Sequence, residues 1–126
     1  MLKKRLIFSL IYDQCSFMLS RNFKLQRVGD LSWIRENYDF NAIAESIDEL
    51  VVLNVSRNEK NINEFQEALI ELSKNCFIPL TAGGGIRNIN DAYKILNSGA
   101  DKLILNSHFF FNKNLVETIS KTFGNQ

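Results

Sequence analysis

Short, continuous apolar runs alternate with amphipathic stretches along this chain. Leu6-Ile7-Phe8-Ser9-Leu10-Ile11 is apolar and β-branched, which predicts a first strand. Residues 17–23 mix apolar and polar types without a clear period and are expected to form a small excursion before the first helix. Gly29-Asp30 opens a helical stretch carrying Trp33, Ile34 and Tyr38 on one side, with Asn41 to Ser46 as a further turn. Leu50-Val51-Val52-Leu53 has the unbroken apolar character of a strand covered on both faces. Asn61 to Lys74 carries Phe65, Ala68, Leu69 and Leu72 at spacings of three and four, the pattern of an amphipathic helix.

Phe77-Ile78-Pro79-Leu80-Thr81 predicts a third strand, although Pro79 lacks the N–H that a central strand donates. Asn90 to Ser98 reads as a helix with Ala92, Ile95 and Leu96 inward, stopped by Gly99. Leu103-Ile104-Leu105 is a fourth strand, and Asn114 to Phe123 a last helix ended by Gly124. Between them, Phe109-Phe110-Phe111 is expected to pack under that helix or against whatever covers the open sheet edge. The order is therefore β-α four times over, with no proline- or serine-rich linker. Such alternation predicts the α/β class, with parallel strands joined by right-handed crossovers. Periodicity alone leaves open whether the sheet curls as part of a barrel or stays flat and doubly wound.

Length changes the picture: 126 residues suffice for one domain with a core, yet a closed (β/α)8 barrel takes roughly 250. Composition is that of an ordinary globular protein, 45% hydrophobic and 23% charged. Fifteen basic against fourteen acidic residues leave a net charge of +1, which gives no electrostatic basis for nucleic-acid or membrane-surface binding. Any anion must then be held by local geometry. Cys15 and Cys76 stand far apart without a CxxC motif, so reduced thiols in a cytoplasmic protein are expected, with no metal and no cofactor. No apolar run approaches the ~20 residues of a membrane span. The basic start Met1-Leu2-Lys3-Lys4-Arg5 precedes an apolar stretch, but Tyr12-Asp13-Gln14 breaks it and no small-residue cleavage site follows, unlike a signal peptide.

In parallel α/β folds ligands meet the carboxyl ends of the strands. Those ends are Ile11-Tyr12-Asp13, Asn54-Val55-Ser56-Arg57, Gly83-Gly84-Gly85 and Asn106-Ser107-His108. The triplet Gly83-Gly84-Gly85 is the sharpest feature, because glycine lets backbone N–H groups approach an anion at positive φ. A tight strand-to-helix turn without a ligand satisfies the same pattern. Asn106 and Ser107, one strand away, could add donors to one phosphate. His108, the sole histidine, suits a general base and equally an incidental loop position. Arg5, Glu49 and Lys102 gather at the strand starts, where solvated charge is the plain reading. Glu49 and Asn54, five apart, cannot share a face unless Asn54 lies beyond the regular strand.

Several motifs occur in register along the chain: Leu2-x-Lys4-Arg5-x-Ile7, Val28-Gly29-Asp30, Asp48-Glu49-Leu50-Val51-x-Leu53 and Ile78-Pro79-Leu80-Thr81-x-Gly83-Gly84-Gly85-Ile86. Gly99-Ala100-Asp101-Lys102, Asn106-Ser107 and Thr122-Phe123-Gly124 complete the series. The chain thereby resembles the cyclase subunit of imidazole glycerol phosphate synthase, the HisF family of histidine biosynthesis. The resemblance implies a parallel (β/α)4 half of a (β/α)8 TIM barrel, as a single domain over residues 1–126 and a truncated form of the whole. It implies a lyase-type subunit that accepts ammonia from a glutamine amidotransferase partner. Gly85, Asn106 and Ser107 would hold a phosphorylated substrate, with Gly83 and Gly84 in the same loop. Arg5, Glu49 and Lys102 would gate ammonia at the barrel bottom, and Asp101 would lie near the partner interface.

Two departures bear on the chemistry. The family's first catalytic aspartate falls on Ile11, and the aspartate ending the second strand on Asn54. A hydrocarbon cannot move protons, which leaves Asp13 as the substitute candidate and this polypeptide without the expected cyclisation activity. These changes, Val55-Ser56-Arg57 and the long region from Trp33 to Ile47 resemble a divergent branch that serves acetamidino modification of surface-polysaccharide sugars. Two other readings stand beside it. One is a non-catalytic half-barrel that self-associates through open sheet edges. The other is an unrelated doubly wound phosphate binder.

Overall fold

The first apolar run does form a strand, and a longer one than the run itself: β1 spans Ile7–Asp13 in the computed structural model, which describes residues 3–57 and 61–124. Leu2, which opens the amino-terminal motif, lies outside the described residues, as does Met1. Alternation divides β1 between two faces. Leu10 and Tyr12 are buried against the helices, whereas Ile7 and Ser9 are exposed on the other side.

The expected excursion after β1 is instead a pair of strands, β2 (Ser16–Arg21) and β3 (Lys24–Gly29), which extend the sheet antiparallel from β1. Both connecting turns are two residues long and run through positive φ without glycine: Gln14 and Cys15 at 44° and 59°, Asn22 and Phe23 at 50° and 60°. Two-residue hairpin loops need this backbone to match the strand twist.

Asp30 caps α1 (Leu31–Asn37) by accepting the Trp33 N–H at 2.9 Å, and Asp39 caps α2 (Phe40–Ser46) through the Asn41 and Ala42 N–H groups. Next come β4 (Glu49–Asn54) and α3 (Ile62–Asn75). The helix buries Phe65, Ala68, Leu69 and Leu72, the stripe that its spacing predicts. The third predicted strand is shifted: β5 is Leu80–Gly83, so Pro79 precedes it. Only the Pro79 carbonyl is needed there, accepting the Leu50 N–H at 3.0 Å. After α4 (Ile89–Asn97) and β6 (Lys102–Ile104), a short α5 (Ser107–Phe111) leads to α6 (Lys113–Phe123). The phenylalanine run does not pack under α6. Phe109, Phe110 and Phe111 are 58%, 70% and 87% exposed.

The sheet order is β3-β2-β1-β4-β5-β6, with β1, β4, β5 and β6 parallel. The parallel strands follow one another in chain order with no reversal, whereas a doubly wound sheet reverses at a switch point. The fold is thus α/β with four consecutive strand–helix units, the layout of half a (β/α)8 barrel. Its core lies between sheet and helices, around Ile34, Leu50, Val52, Phe65, Leu69 and Ile95.

Two matching clamps fix the amino ends of the strands. Asp48 donates its N–H to the Leu6 carbonyl (2.8 Å), and its carboxylate accepts the Leu6 N–H (2.6 Å). Asp101 does the same with Leu80, at 2.7 and 2.8 Å. Among the described residues no helix is long and apolar enough to cross a membrane.

Candidate functional site

At the amino ends of the strands, the three charged residues singled out in the sequence come together. Glu49 is buried and lies on the face of β4 turned away from the helices, as its register partner Ile7 does on β1. Its carboxylate accepts from Arg5 Nη2 at 2.9 Å, from Lys102 Nζ at 3.4 Å and from the Thr81 hydroxyl. Thr81 was not anticipated, although its register pairing with Lys102 brings both to this point. The Thr81 hydroxyl leads in holding the Glu49 carboxyl below its ordinary range; burial opposes it, and Lys102 and Arg5 add to it. The buried charge of Glu49 is thereby met from three sides.

Asp101 lies beside this cluster. One of its carboxylate oxygens is occupied by the Leu80 N–H. With Phe77, Pro79 and Lys102 it borders a shallow cavity at this end, where Phe77 is 87% exposed.

The carboxyl ends of β4, β5 and β6 surround a cavity of about 480 Å³. Gly84 and Gly85 line it from one side, Asn106 and Ser107 from another, and Arg87 and His108 also face it. Gly84 and Gly85 have φ of 95° and 82°, values that side-chain-bearing residues adopt only with strain. At Gly84 a Cβ would stand 2.0 Å from the Asn54 carbonyl oxygen. Gly83 serves a different purpose: it ends β5, and a Cβ there would meet the Ile104 carbonyl at 2.5 Å. Glycine at 83 lets β5 and β6 approach, while glycine at 84 and 85 shapes the loop. Behind that loop, buried Asp91 accepts the Arg87 N–H at 3.0 Å, and Asn88 caps α4 through the Asp91 N–H at 2.9 Å.

Between these two ends the open sheet face is apolar. Ile11, Leu53, Gly83 and Ile104 stand in one row of the register. Asp13, two residues beyond Ile11, falls on the same face by alternation and is half-buried. Asn54 is inside β4 rather than beyond it, so it lies on the face opposite Glu49, buried with Leu50 and Val52. Its Oδ1 accepts the Ser56 N–H at 3.1 Å, and Ser56 Oγ accepts the Gln14 N–H at 3.2 Å. These contacts tie the β1–β2 turn to the end of β4. Ser56 is buried through these two bonds, a role that its place in a strand-end segment does not by itself reveal.

Cys15 is exposed and donates to Glu64 Oε2 at 3.1 Å; that hydrogen bond and partial burial push its thiol up, away from the reactive thiolate. Burial pushes the Cys76 thiol up as well. Among the described residues no cluster of His, Cys, Asp and Glu forms a metal-binding group.

Residues 30–126 match the family described as histidine biosynthesis protein. A protein of Parasynechococcus marenigrum, provisionally named imidazole glycerol phosphate synthase subunit hisF2, is 49% identical over the whole chain, which covers 47% of that relative. A Campylobacter jejuni protein with the same provisional name is 34% identical over the whole chain and 49% of its own length. The imidazole glycerol phosphate synthase subunit HisF of Dictyoglomus thermophilum is 33% identical, again over the whole chain and 49% of the relative. The chain spans about half the length of these curated relatives.

Proposed function

The chain belongs to the histidine biosynthesis protein family, among HisF-like synthase subunits, and on that premise we propose that it supplies one phosphate site and the ammonia entrance of a cyclase-type barrel. One observation carries the reading: the loops after β5 and β6 present Gly84, Gly85, Asn106 and Ser107 to one cavity. Backbone N–H groups at positive φ, an amide and a hydroxyl are donors suited to phosphate oxygens. The apolar remainder of the cavity, including Leu53 and Ile104, suits the organic part of a phosphorylated small molecule or sugar.

Arg5, Glu49 and Lys102 act in this reading as the gate for ammonia at the opposite end. Charges that compensate one another can part and re-pair while a small neutral molecule passes. A glutamine amidotransferase would dock on that end, with Asp101 and exposed Phe77 at its border. Residues 1–126 then form a half-barrel domain, completed by a second half or by a copy of itself across the open face. Ile7, uncovered on that face, favours such a cover.

Titration of the ¹⁵N-labelled chain with inorganic phosphate tests the site. Amide shifts are expected at Gly84, Gly85 and Ser107; shifts scattered over the surface with none in these loops would refute it.

A second reading is favoured by Ile11 and Asn54. The position of the family's catalytic carboxylate is an apolar row, and Asn54 is committed to the Ser56 N–H. In this reading the ammonia amidates a sugar substituent in surface-polysaccharide synthesis, where proton transfers for ring closure are not required. With a glutaminase supplied, ¹⁵N from labelled glutamine would appear in an amidino sugar; its appearance in an imidazole would instead support the cyclase.

A further inference from the structure

We propose that His108 is a phosphate-recognition residue, whose imidazole donates to the outer oxygens of a terminal phosphate monoester seated on Gly84, Gly85, Asn106 and Ser107. The inference rests on the phosphate-site reading above and deepens it by naming the ligand class and the side chain that selects it.

Position comes first. His108 is half-buried and lines the same cavity as the four cradle residues, directly after Ser107. Packing does not account for it, because α5 buries none of its residues. Of that helix only Ser107 and His108 face the cavity, while the phenylalanines that follow are exposed outside it. The histidine is thus the side chain of α5 turned toward the ligand space.

Charge comes second. Arg87 also lines this cavity and carries a full charge, but it is engaged behind the loop: its Nε lies 3.7 Å from Asp91 Oδ2, the same oxygen that accepts its backbone N–H. A carboxylate so close offsets much of the guanidinium's pull on an anion. The cradle itself offers neutral dipoles from one side of the phosphate, and none of them is placed beyond the loops to meet a further free oxygen. A monoester near neutral pH carries close to two negative charges and a third free oxygen. An imidazole has a ring N–H to donate whether charged or neutral, so His108 can meet that additional oxygen. It therefore sets the preference for a terminal monoester.

Size comes third. The cavity of about 480 Å³ has room for far more than a phosphate group, and its aliphatic walls leave the rest to an organic moiety. The ligand class is a phosphorylated small molecule with its phosphate at one end.

The test uses the 126-residue chain with ribose 5-phosphate as monoester and dimethyl phosphate as diester, followed by NMR titration. Because the sequence has one histidine, its imidazole signals need no assignment, and they should shift with the Gly84 and Gly85 amides on adding ribose 5-phosphate. His108→Ala is expected to weaken that ligand about ten-fold, the scale of a hydrogen bond to a charged group, and to leave dimethyl phosphate unchanged. His108→Gln, which keeps an N–H donor, should recover part of the loss, and Phe109→Ala on the same helix should change neither affinity. If the Gly84 and Gly85 amides respond but the imidazole stays still, or the alanine variant binds the monoester at parental strength, the role of His108 falls while the phosphate site stands. No response at Gly84 and Gly85 in the parent chain overturns both.

Discussion

At the amino ends of the parallel strands, charged groups meet one another and the backbone: Glu49 with Arg5, Lys102 and Thr81, Asp48 with Leu6, Asp101 with Leu80. At the carboxyl ends, glycine backbone, an amide, a hydroxyl and an imidazole surround a cavity, and backbone shape rather than side-chain pairing sets their positions. The contrast separates two ways of fixing a site. Mutual pairing satisfies side chains within the protein, so that end contributes to stability. At the carboxyl end the backbone at Gly84 and Gly85 shapes a cavity instead. Perturbing each end should therefore do different things.

The largest effect is expected at the end that relies on shape. Gly84→Ala would place a Cβ 2.0 Å from the Asn54 carbonyl at a φ of 95°. Backbone cannot yield as a flexible side chain can, and left-handed strain adds to the overlap. The expected loss is roughly 3 kcal/mol in urea unfolding. A loss below about 1 kcal/mol would mean that the loop can relax and that shape does not fix this end.

Next comes Glu49→Ala, at about 2 kcal/mol, since it leaves the Thr81 hydroxyl and Lys102 without their acceptor in a largely buried place. The same residue gives a pH dependence. The carboxyl of Glu49 is held below its ordinary range, first by Thr81 and then by Lys102 and Arg5 against burial. The charged form is thus the one the fold favours, so its contribution is full above the unfolded-state value of about 4.3 and fades as pH falls through the lower folded value. Urea midpoints should decline below about pH 4 in the parent chain, and Glu49→Gln should flatten that acid limb. An unchanged limb would show that this end is not held by its charge pairing.

The two aspartate clamps allow a finer division of the same end. Asp48→Ala and Asp101→Ala should each cost about 1.5 kcal/mol, the lower end for a hydrogen bond between a carboxylate and backbone. If Asp101→Ala left thermal stability untouched while Asp48→Ala did not, Asp101 would be a docking residue and nothing more.

Much of this contrast was legible in the sequence, and for identifiable reasons. The apolar runs at Leu6 to Ile11 and Leu50 to Leu53 and the spacing from Phe65 to Leu72 report the core directly, because burial dictates those residue types. The glycines at 84 and 85 announce positive φ, so the cavity was expected where it stands. Other features leave no periodic trace. Thr81 joins Glu49 through strand register, which depends on how far apart two strands start. Pro79 argued against a strand that in fact begins one residue later. Asn54 was read as standing where the family keeps an aspartate, and nothing in the spacing showed that its amide closes a turn with Ser56.

The hairpin was missed for the most physical of these reasons, and it offers the smallest and final test. Type I′ turns usually declare themselves as Asn-Gly, but here the left-handed positions are Gln14-Cys15 and Asn22-Phe23. The first turn sits at the carboxyl end and is tied down, by the Ser56 hydroxyl to Gln14 and by Glu64 to Cys15. The second sits at the opposite end, and Phe23 is 99% exposed. Phe23→Gly forfeits no packing and removes left-handed strain of about 1 kcal/mol or more, while glycine's greater freedom in the unfolded chain offsets part of the benefit. A net gain of about 0.5 kcal/mol in urea unfolding is expected. Cys15→Gly relieves similar strain but loses the bond to Glu64, so it should gain nothing. Equal gains from the two glycines would mean that the contacts at the carboxyl end do not hold its turn, and that backbone shape alone does.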